Sequence, residues 1–169
     1  MNVVDQVSIN EVGLRDGLQL EPKTLTVDEK VEIFQLLKKA KIPEVEFGSF
    51  VHPKLVPQMA NTADFYSRLK DLFGNPKLVA LIPNSKGLEL AKENGVTSVN
   101  YVLSASDSHN LQNVRQTTEQ SLEGFKYLVD YATNHNMRMN VTIGTSFGCP
   151  FEGKVPPERI LTIIENLLQ

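Results

Sequence analysis

The stretch INEVGLRDGLQLEP, residues 9–22, opens as a β-branched strand and closes in a turn, with Glu11, Arg15 and Asp16 crowded where the two meet. Glycines stand on both sides of the pair, at Gly13 and Gly17, and allow the backbone to approach a ligand closely. In parallel α/β proteins polar residues collect at the carboxyl ends of strands, because loops and helix N-termini converge there. Whether this turn is such a strand end depends on the pattern in the rest of the chain.

The same sequence pattern recurs along its length. Residues 7–12 (VSINEV), 44–50 (EVEFGSF), 77–83 (KLVALIP), 98–104 (SVNYVLS) and 138–145 (RMNVTIGT) read as short strands, each followed by a helical pattern. The first helix opens on a capping box, Thr26-Val-Asp-Glu29, and carries Val27, Val31, Phe34 and Leu37 on one face. Further helices are predicted over Thr62–Leu72, over Ser85–Glu93 with Gly95 as the stop, and from the Thr117-x-x-Gln120 box to about Thr133. A last one starts at Pro156-Pro157 and aligns Ile160, Ile163, Ile164 and Leu167. Strands alternating with helices pair in parallel, and strand starts roughly 33 residues apart match the ~31 of a barrel with eight units in ~250 residues. The expected fold is α/β, an incomplete TIM (β/α)8 barrel of about five units within a single portion, residues 1–169. An open, flavodoxin-type sheet is the alternative.

Composition narrows the function. A chain of 169 residues that is 41% hydrophobic and 22% charged, with net charge -3, fits a globular protein and excludes a basic nucleic-acid binder. No apolar run approaches 18 residues, so no membrane span is expected, and neither a signal nor a transit peptide is recognisable. The single cysteine, Cys149, cannot form an internal disulfide, which points to a cytoplasmic setting.

Each unit then contributes polar residues to one rim: Glu11, Arg15, Asp16 and Gln19; Glu46, Ser49, His52 and Lys54; Asn84; Ser104, Ser106 and Asp107; Thr145, Ser146 and Cys149. Asp16 reads as a hard oxygen ligand for a divalent cation and Arg15 as a permanently charged fork for an enolate or carboxylate; a surface ion pair or an Asx turn remains the alternative. Glu46, between Val45 and Phe47, points into the barrel and needs a partner, for which Arg15 is the candidate, either as a structural pair or as an acid/base group. Cys149, in the glycine-rich GTSFGCPFEGK loop, reads as a nucleophile or as a small packed hydrophobe. His52, His109 and His135 have no metal-ligand spacing, and no phosphate-cradling glycine motif is present.

EVGLRDGLQLEP, SFVHPKLVPQM and FGCPFEGK, with IPNSKGLELA and VLSASDSHN between them, resemble the hydroxymethylglutaryl-CoA lyase family in order and spacing, over the front part of that family's barrel. The resemblance implies a metal-dependent carbon–carbon lyase acting on an acyl-CoA thioester and yielding acetoacetate and acetyl-CoA. It assigns Asp16 to a Mg²⁺ or Mn²⁺ ion, Arg15 to the enolate of the departing acetyl-CoA, Glu46 to the orientation of Arg15 or to proton transfer, and Gln19 and Asn113 to the substrate channel. Leu14 replaces the proline of the usual GPRDG, Phe47-Gly48 stands where small or hydroxyl residues are common, and QNVR (112–115) replaces the typical KNIN. The family's H-x-H ligands, later asparagine ligand and catalytic cysteine loop belong to units beyond Gln169. The expectation is therefore a chain inactive by itself, which pairs with copies of itself or with a complementing chain through unpaired sheet edges. A related aldol-type enzyme using a pyruvate- or homocitrate-like substrate, and a non-catalytic half-barrel assembly module, are the alternatives.

Overall fold

The computed structural model describes residues 6–70, 72 and 76–168. Its strands are β1 (Asn10–Glu11), β2 (Glu44–Ser49), β3 (Lys77–Ile82), β4 (Ser98–Ser104) and β5 (Arg138–Gly144). They form one parallel sheet in the order β1-β2-β3-β4-β5. An open doubly wound sheet reverses its strand order at a switch point. Here there is no reversal, and the sheet curls into a half-barrel. The helices are α1 (Val27–Lys39), α2 (Thr62–Lys70), α3 (Ser85–Glu93), α4 (Asp107–Val114), α5 (Thr118–Asn134) and α6 (Pro157–Leu167).

Strand alternation assigns the two faces of the sheet. Val45 and Phe47 of β2, Val99, Tyr101 and Leu103 of β4, and Met139, Val141 and Ile143 of β5 turn to the helices and form the core. Phe47 stacks on Tyr66 and meets Phe65 edge-on, while Tyr101 stacks on Phe125. The residues between them face the concave side. Both predicted capping boxes are present: the Thr26 hydroxyl accepts from the Glu29 amide and the Thr117 hydroxyl from the Gln120 amide, with each acidic or amide side chain answering the cap's own N–H.

Three sequence expectations change in detail. The first strand is two residues long rather than 7–12, because it pairs with β2 alone and nothing covers Val7 or Ile9, which stay exposed. The helix expected to reach Leu72 ends at Lys70, and residue 71 lies outside the described residues. Helix α4 was not anticipated: only Ser106, whose hydroxyl accepts from the His109 amide, marks its start in an otherwise polar segment.

One irregularity controls what faces the concave side. The β2–β3 register pairs Glu46 with Val79 but Gly48 with Ala80, so Phe47 is an extra residue, a bulge. Without it Ser49 would fall on the helix side; with it Glu46 and Ser49 both border the concave cavity. Gly48 is required there because a Cβ at that position would sit 2.8 Å from Cγ2 and Oγ1 of Thr62. Gly48→Ala is expected to lower stability by about 1–3 kcal/mol through overpacking. Urea denaturation measures this, and an unchanged midpoint would show that the bulge tolerates a side chain.

Candidate active site

The turn after β1 is built from Gly13–Gly17, a single π-helical turn in which the Arg15 and Asp16 amides both donate to the Val12 carbonyl, at 3.0 and 2.7 Å. Gly13 donates its amide to Glu11 Oε1 at 2.6 Å, and a Cβ on Gly13 would collide with that oxygen at 2.8 Å. Leu14 anchors the turn in the core. With Leu14 fixed on one side, Arg15 projects to the concave face and Asp16 to the rim.

Arg15 lies between two carboxylates. Its Nε donates to Glu46 Oε1, and its Nη1 donates to Asp16 Oδ1 at 2.5 Å. Glu46 is 1% exposed, whereas the Asp16 side chain is 56% exposed. The other Glu46 oxygen accepts from Asn100 Nδ2 at 2.8 Å, and Asn100 Oδ1 accepts from the Thr142 hydroxyl at 3.0 Å. A continuous polar chain thus runs from the β1 turn through β2 and β4 to β5. It satisfies both oxygens of a buried carboxylate and leaves Arg15 with no freedom to swing away.

This chain borders a cavity of about 640 Å³, and the five residues to which the family resemblance assigns roles, Arg15, Asp16, Gln19, Glu46 and Asn113, line it. Asn100 and Thr142 were missed. Asn100 stands between Val99 and Tyr101 as Glu46 stands between Val45 and Phe47, so the rule that selected Glu46 would have selected it too. Ser49 also lines the cavity; it is 2% exposed and its hydroxyl has no partner among the described residues.

Other rim residues have local structural roles. The Asn84 side chain caps α3, and His52 Nδ1 accepts from the Lys54 amide in an exposed turn. Asp107 accepts from the Thr118 amide, which holds its carboxyl below the usual range against the opposing effect of burial. Cys149 is buried beside the Ser106 hydroxyl at 2.9 Å and away from the cavity lining. Burial pushes its thiol up, but hydrogen bonds with Ser106 and with the Phe151 and Glu152 amides outweigh this, and the net shift is downward.

Among the described residues no group of three His, Cys, Asp or Glu side chains is arranged to hold a metal ion. Asp16 has one carboxylate oxygen bonded to Arg15 and a second with no partner among the described residues, so it fits one position of a hard-cation site rather than a complete site.

A parallel half-barrel with an ion pair between Arg15 and the buried carboxylate of Glu46 beyond the end of its first strand has the architecture of part of a TIM barrel. The family model described as HMGL-like matches residues 6–169, and the chain belongs to that family. It is 39% identical over 96% of its length to an (R)-citramalyl-CoA lyase from Chloroflexus aurantiacus, and 35% identical over 97% to a hydroxymethylglutaryl-CoA lyase from Bacillus subtilis. The solved Bacillus subtilis HMG-CoA lyase superposes with a TM-score of 0.92 at 34% identity over 99% of this chain. An HMG-CoA lyase from Acinetobacter baumannii, in complex with coenzyme A and 3-methylmalate, gives 0.88 at 36% over 99%. The chain spans about half the length of these relatives, 54% to 56%.

The two carboxylates bonded to Arg15 should behave differently on removal. Glu46→Ala leaves a mostly buried guanidinium short of a partner and is expected to destabilise by about 3 kcal/mol. Asp16→Asn, at a surface-exposed pair, is expected to change stability by less than about 1 kcal/mol. Equal losses in chemical denaturation would contradict the asymmetry in burial.

Proposed function

We propose that this chain forms the first part of an acyl-CoA carbon–carbon lyase, with Arg15 as the group that stabilises the developing enolate. The observation that carries the reading is Arg15 itself, locked by buried Glu46 at the end of β1 and facing a cavity of about 640 Å³. In cleavage of a β-hydroxyacyl thioester the hydroxyl loses its proton and becomes a carbonyl. The adjacent carbon–carbon bond breaks, and its electron pair passes to the thioester carbonyl as an enolate that is then protonated to acetyl-CoA. Negative charge builds on that thioester oxygen only as the bond breaks. A preorganised guanidinium therefore stabilises the transition state more than the substrate.

Glu46 orients Arg15 and keeps its remaining N–H groups aimed at the cavity. Asn100 and Thr142 fix Glu46 in turn, so this part of the site is set before substrate arrives. Gln19 and Asn113 would line the substrate channel. Asp16 would give one oxygen to a divalent cation, Mg²⁺ or Mn²⁺, whose chemistry when bound is Lewis-acid polarisation of the substrate's hydroxyl and carboxylate oxygens. The remaining ligands would come from outside residues 1–169.

Hydroxymethylglutaryl-CoA, giving acetoacetate and acetyl-CoA, is the first substrate. The 39% identity to a citramalyl-CoA lyase supports a second reading, in which a citramalyl-type thioester is cleaved by the same residues. Both keep the thioester and the enolate and differ in the departing keto acid. No helix among the described residues is long and apolar enough to cross a membrane, and a cytoplasmic setting is the reading retained. The β1 and β5 edges of the sheet, with exposed Ile9 beside one, Leu161 on α6 and Leu168 just after it, favour completion by further barrel units or by a second chain.

Joining residues 1–169 to the second half of a relative's barrel and supplying Mg²⁺ with each thioester tests the reading by acetyl-CoA release. The joined protein is expected to cleave one of the two, its Arg15→Gln form about 10²–10³-fold more slowly, and the unjoined chain neither. A joined, folded protein that cleaves neither thioester would overturn the assignment.

A further inference from the structure

Lys30 is the one buried lysine among the described residues, at 1% exposed, and it does not line the cavity. A lysine is almost never closed off from water without a carboxylate partner. Lys30 has none among the described residues: its Nζ donates to the Gln58 carbonyl at 2.7 Å and to Asn61 Oδ1 at 2.6 Å, both neutral. Burial pushes its ammonium below the ordinary lysine range. Two N–H groups suffice for these two bonds, so the tie holds whether or not the third proton is present. A methionine here would fill a similar length of core without desolvating an amine, so packing alone does not account for Lys30.

The two acceptors belong to one segment and reach a second. Gln58 and Asn61 stand in the connection between β2 and α2, and their own amides turn to the connection between β1 and α1. Gln58 Nε2 donates to the Glu21 carbonyl at 2.7 Å, and Asn61 Nδ2 donates to the Leu25 carbonyl at 3.0 Å. Lys30, near the start of α1, therefore joins both connections to that helix. Both also line the cavity, the first through Gln19 and the second through Val51, Leu55 and Val56. A side chain facing a cavity is packed on one side only, and Leu55 is 64% exposed, so apolar burial does not fix this wall.

We propose that Lys30 is a positioning residue for the apolar wall of the cavity, holding residues 51–56 in place through Gln58 and Asn61 without touching substrate itself. The tie rests on the hydrogen bonds, and its catalytic consequence rests on the acyl-CoA lyase reading of the cavity. In that reading the bond that breaks lies at Arg15, away from the wall. The wall then contacts bound substrate and transition state alike, so loosening it weakens binding and leaves the chemical step unchanged, whereas loss of Arg15 slows that step.

Lys30→Met tests this in two measurements. In the 169-residue chain, amide hydrogen exchange is followed at Leu55, Met59 and Ala60, whose N–H groups bond within the β2–α2 connection. These amides are expected to exchange about tenfold or more faster in the variant, with those of β4 and α5 unchanged and the urea midpoint equal. In the protein joined to the second half of a relative's barrel, KM for the cleaved thioester is expected to rise about tenfold with kcat within about twofold. Should Lys30→Met fail to fold, Asn61→Ala removes one acceptor and the bond to Leu25 at a partly exposed position and carries the same comparison. Unchanged exchange at the three amides would overturn the tie. Faster exchange throughout the chain with a lower midpoint, or an unchanged KM in an active joined protein, would overturn the positioning role. A joined protein that cleaves neither thioester would overturn the lyase reading, and the exchange comparison would still decide the tie.

Discussion

A carboxylate closed off from water inside a parallel sheet is costly unless it meets a cation and fills its remaining acceptor positions, and Glu46 does both. Arg15 supplies the cation and Asn100 the second hydrogen bond. Removing Arg15 would leave an uncompensated buried charge and removing Asn100 an unsatisfied acceptor, so the β1 turn, β2 and β4 are tied to one another through Glu46. The bulge at Phe47 and the absent side chain of Gly48 are the local conditions for it, because they let Glu46 and Ser49 border the cavity together.

Much of this architecture is legible in the sequence alone. The apolar alternation of SVNYVLS and RMNVTIGT marks β4 and β5 to within a residue, and the two capping boxes mark the starts of α1 and α5. The isolated acid in EVEF points to a buried carboxylate, and the arginine of the β1 turn to its partner. The missed features depend on relations that a linear pattern does not carry. Val7–Ile9 alternate like a strand but meet no second neighbour, so the hydrogen-bonded ladder stops at Asn10. Helix α4 has little apolar periodicity, and its stability comes from its cap and from Asn110, whose side chain bonds the Gln116 and Thr117 carbonyls and the Ser121 hydroxyl. Thr142 joins the site because β5 pairs directly with β4 and Thr142 stands two residues beyond Asn140, the partner of Asn100, a register that the linear pattern does not carry.

The polar floor and the polar mouth of the cavity obey different physical rules. At the floor the side chains of Glu46, Asn100 and Thr142 are paired and the Ser49 hydroxyl has no partner among the described residues, which makes a rigid, preorganised polar surface. At the mouth, formed by the end of α4, Gln112, Asn113 and Arg115 are exposed and their side chains have no partner among the described residues. The HMGL-like half-barrel thus combines a fixed polar floor with an exposed polar mouth.

The central claim is that buried Glu46 holds Arg15, and it can be read directly from the Arg15 Nε–H proton by ¹⁵N-resolved NMR hydrogen exchange. The account predicts a protected Nε–H signal that survives Asp16→Asn and disappears in Glu46→Gln. A rapidly exchanging Nε–H in the unmodified chain, or one insensitive to Glu46→Gln, would show that the guanidinium is free in water and would contradict the account.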